Sequence, residues 1–126
     1  MTQEDKELLL KDLCARLPYR VKVQMADGAI EELLNVNVST FICNGLKGLP
    51  KPYLFPLSSI TDEQERELSK LGVSYGEYAL HDDIRGLGIM VDEAYIFFEF
   101  CYKHHIDFLG LIEKGLAIDA TGLNVY

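Results

Sequence analysis

The chain has 126 residues, of which 20 are acidic and 12 basic, for a net charge of −8. Such a surface repels phosphate backbones, which makes nucleic acid a poor partner. With 48% hydrophobic and 25% charged residues the composition is ordinary for a soluble globular protein, and nothing approaches the ~20 apolar residues of a membrane span.

The size suits one domain that buries a core without disulfide or metal staples. The first stretch, MTQEDKELLL, is acidic and helical; it lacks the basic start and cleavage site of a secretory signal. Thr2 can cap a helix over 3–16, with Asp5 as its capping-box partner. Leu10, Leu13, Cys14 and Leu17 make an i, i+3, i+4, i+7 stripe that Leu9 broadens, and Pro18 stops the helix. Residues 20–25 alternate, with Val21, Val23 and Met25 on one face, which predicts a half-buried strand. Asp27-Gly28 signals a hairpin. A plain two-residue turn would set Glu32 opposite Val23 on the apolar face, so a bulge near Glu31-Glu32 or a longer turn is expected. Leu34, Val36, Val38, Thr40 and Ile42 resume the alternation. With a bend at Ser39-Thr40, residues 41–43 read as a third strand of an antiparallel meander.

Glycine and proline mark 44–52 as a loop. Pro56 confines 53–59 to a sheet edge or an extended connection. In that segment Tyr53, Phe55 and Leu57 point one way, a strip that either covers the core or binds an apolar partner. Thr61 and Gln64 open a polar surface helix over 62–71, with Leu68 and Leu71 inward and Gly72 closing it. Residues 73–91 read as a short strand or helical turn near 75–80, with 89–91 either a strand or the lead into the next helix. Segment 92–105, DEAYIFFEFCYKHH, is the most aromatic run. Ala94, Phe97, Phe98 and Cys101 fall at i, i+3, i+4 and i+7, widened by Tyr95 and Tyr102, with Asp92, Ile96, Glu99 and Lys103 opposite. A helix apolar over most of its circumference is buried, so this is the expected central helix, capped by Asp92. Asp107 then caps a short helix over 108–114 that Gly115 closes. Residues 116–118 are extended and 120–126 loose. The fold class is therefore α+β, a small antiparallel sheet packed with helices.

His81-Asp82-Asp83, with His104 and His105, is the set with metal-ligand chemistry. A small metal-dependent hydrolase or nuclease using His81, Asp82 and Asp83 is the enzymatic alternative. Adjacent helical histidines point about 100° apart, so His104 and His105 do not easily share one ion. Cys101 and His105 have i, i+4 spacing, but a thiol on an apolar stripe resists ionisation. Cys14, Cys43 and Cys101 all sit among apolar residues and read as buried free thiols in a reducing compartment. Gly45-Leu46-Lys47-Gly48 and Gly86-Leu87-Gly88 fall short of phosphate-loop and dinucleotide motifs. No catalytic residue, metal or cofactor is assigned. The expected partner is a protein or a second copy of the chain.

Three pieces stand out together: Leu17-Pro18-Tyr19 followed by VKVQ, KPYLFPLSS followed by a T-x-E-Q helix start, and KHHIDFLGLIEKGLAID. The combination resembles a family of short proteins of gut bacteria and their phages and mobile elements, over about residues 12–120 with 73–91 matching least. That family has no assigned activity, so no functional residue carries over. The resemblance implies a small cytoplasmic bacterial or phage protein with a non-enzymatic role.

Overall fold

The structure, a computed structural model, describes residues 2–71 and 91–126. Helix α1, Gln3–Arg16, starts with the predicted capping box: the Thr2 hydroxyl accepts the Asp5 N–H, and the Asp5 carboxylate accepts the Thr2 N–H. Its buried face is turned from the expected stripe. Leu9, Asp12, Leu13 and Arg16 are buried, and Cys14 is exposed. Two opposite charges at i, i+4 neutralise each other inside this face, which is why it tolerates them. A 3-10 turn, Leu17–Tyr19, leads to Arg20 at φ 60° and into the sheet.

Strands β1, Lys22–Gln24, and β2, Ile30–Glu32, form the predicted hairpin. Met25 N–H donates to Ala29 O and Gly28 N–H to Met25 O, so three residues make the turn, with Gly28 at φ 88°. This is the longer turn expected as a remedy. It sets Glu31 opposite Val23; Glu31 is exposed because β2 lies at the end of the sheet.

The predicted third strand is a helix. In α2, Asn35–Cys43, Val38 and Phe41 are buried one turn apart, while Leu34, just before the helix, and Ile42 are more than half exposed. The Asn37 side chain accepts the Leu34 N–H at 2.9 Å and ties down the first turn. Leu46 N–H donates to Phe41 O and Gly45 N–H to Ile42 O, closing the helix on Gly45 at φ 68°. Hydrogen bonding at both ends and the burial of one helical face outweigh the strand preference of the β-branched residues. No meander forms.

The sheet is mixed, in the order β2-β1-β3-β4, with β5 also on β3. Strand β3, Lys51–Pro56, pairs antiparallel with β1 and parallel with β4, Ile106–Asp107, and with β5, Ile118–Asp119. It is thus more central than Pro56 suggested. Leu54 O accepts the Ala120 N–H, whereas Phe55 N–H donates to His105 O; alternation places these bonds on opposite edges. Pro52 and Pro56 share the parity of Leu54, so their missing N–H groups fall on the edge that β5 reaches only briefly.

A second 3-10 turn, Leu57–Ser59, precedes α3, Asp62–Lys70, whose Thr61–Gln64 capping box is as predicted. Leu68 is buried, but Leu71 is half exposed rather than inward. Helix α4 is Val91–Lys103. It buries Phe97, Phe100 and Cys101, while Phe98 is half-buried and Tyr95 is 68% exposed, so its inner face is turned from the expected one. Nor is it central to everything. One apolar cluster joins Leu9, Leu13, Val21, Val23, Leu54 and Leu111, and a second joins Leu68, Phe97, Phe100, Cys101 and Ile106. After β4 there is a single helical turn in place of the expected helix. The Asp107 carboxylate accepts the Leu111 and Ile112 N–H groups, and Gly115, at φ 74°, closes the turn. Asp92, expected as the cap, lies within α4; Gly72 and the readings within 73–90 lie outside the described residues. Among the described residues, no helix is long and apolar enough to cross a membrane.

Candidate functional site

β3 carries the strip picked out in the sequence. Tyr53 is only 4% exposed, and Phe55 and Leu57 are half-buried. The three side chains therefore do not form an open apolar patch. What covers them includes Tyr126, from the segment expected to be loose. Its hydroxyl accepts the Lys22 N–H at 3.0 Å and donates to Tyr53 O at 2.6 Å. Lys22 and Tyr53 lie next to the paired residues Val23 and Pro52, so the phenol bridges the two strands where their own pairing ends. Its ring stacks on His105, with centroids 3.8 Å apart and planes 10° from parallel, and tilts against Phe55 at 5.9 Å. Tyr126 as a whole is 42% exposed, yet desolvation of its hydroxyl pushes the phenol up to about 12.

His105 is placed by the end of α4. It sits at φ 59°, its N–H donates to Tyr102 O, and its carbonyl accepts the Phe55 N–H at 2.8 Å. The left-handed backbone turns its ring toward Tyr126. Burial first, then the nearby charges of Arg16 and His104, lowers its pKa to about 4. Its Nδ1 is buried with no hydrogen-bond partner. His104 goes elsewhere: its Nε2 lies 2.7 Å from Glu67 Oε2, with its ring against Phe100. This bond holds the Glu67 carboxyl below its usual value. The two histidines do not converge.

The charge of Arg16, paired with Asp12, reaches both His105 and Tyr126. Arg16 Nε donates to Asp12 Oδ2 at 2.8 Å, Nη1 to Cys101 O at 3.3 Å and Nη2 to Ile106 O at 2.7 Å, with the guanidinium over the Tyr102 ring. Burial raises the Asp12 pKa in spite of Arg16, and Asp12 Oδ1 has no partner. Cys101 is buried and pushed up to about 12, so its thiol stays protonated. Cys14 and Cys43, expected to be buried, are exposed thiols.

Among the described residues no group of three or more His, Cys, Asp or Glu is placed to hold a metal. His81, Asp82 and Asp83 lie outside them. What the arrangement holds is the chain's own phenol, through one backbone donor, one backbone acceptor and two rings. Reading by apolar stripe missed Asp12 and Arg16, although opposite charges at i, i+4 beside Leu9 and Leu13 were the signal for them. Tyr126 had no signal, because its partners are backbone atoms about 70 and 100 residues away in the chain. No family model matches this chain, and no curated protein or solved structure matches it either.

Proposed function

We propose that this is a small non-catalytic interaction protein, an accessory factor of a bacterial or phage mobile element working in the cytoplasm. Its binding surface is the β3 strip around Phe55. The observation that carries this reading is that three of the groups with reactive chemistry around the strip hold the fold together. The Asp107 carboxylate caps a turn, Arg16 joins α1 to the end of α4, and Cys101 is a protonated core thiol. The net charge of −8 favours a protein partner over nucleic acid. Affinity purification of the full chain at natural abundance, compared with Phe55→Ser, tests the proposal. The wild type should retain one protein at near-equal stoichiometry and the variant should lose it. Equal retention by both, or metal-dependent hydrolytic turnover by the pure protein, would overturn the reading.

A further inference from the structure

Resting on that interaction reading, we propose that the slot filled by Tyr126 is a docking site for an extended peptide presenting a tyrosine side chain, and that residues 121–126 hold it closed as a strap. The slot combines the Lys22 N–H, the Tyr53 carbonyl, the His105 ring and the Phe55 ring. The first two are strand backbone groups that use a side-chain hydroxyl, where a sheet would use another strand. A donor and an acceptor that must both meet one oxygen select a hydroxyl over a methyl or an amide. The stacked imidazole and the tilted phenyl ring select an aromatic carrier for it. Tyrosine is the side chain that meets both demands, and the chain supplies its own.

The strap is held mainly at this one point. Thr121 N–H and Leu123 N–H bond locally, to Asp119 Oδ1 and Ala120 O. Residues 121–124 are exposed, and Leu123 is 51% exposed. Gly122 and Asn124 sit at φ 76° and 53°, so the path to Tyr126 passes through two left-handed residues. A segment with so few buried contacts opens locally far more often than the whole domain unfolds. An opened strap uncovers Phe55 and His105, the surface on which the interaction reading rests. Competition between strap and partner would then set when the partner binds.

The test uses the full chain with Tyr126→Ala, which empties the slot, and a labelled peptide of sequence ATGLNVY followed by fluorescence anisotropy. The peptide should bind the variant at least about tenfold more tightly than the wild type, whose slot is filled. A Tyr→Phe peptide, lacking the hydroxyl and both its hydrogen bonds, should bind about tenfold more weakly. A folded variant that ignores the peptide, or equal binding of the Tyr and Phe peptides, overturns the proposal. If Tyr126→Ala does not fold, hydrogen exchange on the wild type decides. The Lys22 amide should exchange much faster than the Val23 and Leu54 amides; equal rates would mean that the strap does not open. A partner retained through Phe55 without any peptide binding would overturn the strap and leave the interaction reading standing.

Discussion

Arg16 is fully buried, yet its charge is answered on three sides by Asp12, Cys101 O and Ile106 O. Removing one member of a buried pair strands the other, so Arg16→Ala and Asp12→Ala should each cost about 3–5 kcal/mol in urea melts. Their double variant should cost well under the sum; simple additivity would mean that the two do not interact. Arg16→Lys should not restore stability, because one ammonium cannot span three divergent acceptors. His105 yields a pH prediction. Its folded pKa is depressed to about 4 from an ordinary 6.5. Its contribution is therefore fully present above pH 6.5 and lost as pH falls toward 4. Discounted for partial exposure, it amounts to about 1–2 kcal/mol. Asp12, with its raised pKa, acts in the opposite sense, and Glu67, with its lowered one, in the same sense. The difference between wild type and His105→Gln isolates the term. Their stability gap should narrow on acidification from pH 7 to 4; a constant gap would refute the assignment.

Among the elements, those with local end signals were legible from the residues. Thr2 with Asp5, and Thr61 with Gln64, place α1 and α3 correctly because a capping box is completed within four residues. The hairpin follows from Asp27-Gly28 for the same reason. The failure at α2 comes from a short apolar pattern that fits two periods. Leu34, Val36 and Val38 alternate as a strand would, yet Val38 and Phe41 are the pair that a helix buries. In α4 the aromatics nearly encircle the axis, so composition leaves the inner face undetermined, and only packing against Leu68 and Ile106 chooses it. Phe97→Ala should therefore cost about 3–5 kcal/mol, and Phe98→Ala less, since Phe98 is half-buried against Phe108. Equal losses in denaturant melts would return α4 to the face read from its sequence. Gly45→Ala, at the left-handed end of α2, should cost about 1 kcal/mol from backbone strain alone, because open space surrounds the added carbon.

At the scale of the whole molecule, the α+β class was readable, but the mixed sheet was not. Parallel pairing of β3 with β4 and β5 joins segments about 50 and 65 residues apart through two-residue strands, which are too short to carry a period of their own. The candidate site was half visible. The strip Tyr53, Phe55, Leu57 was read from its alternation, whereas Tyr126 and the Lys22 amide meet it only in three dimensions. A metal-based reading would need His81, Asp82 and Asp83, so chelation is informative: EDTA should leave the melting temperature unchanged, and a fall would restore those residues as ligands. Tyr126 closes a slot over His105. An NMR titration of the His105 ring, assigned with His105→Gln, tests this closure most directly. The wild-type ring should titrate near pH 4 and move toward 6.5 in Tyr126→Ala. A wild-type ring that titrates near 6.5, unchanged by loss of Tyr126, would contradict the account.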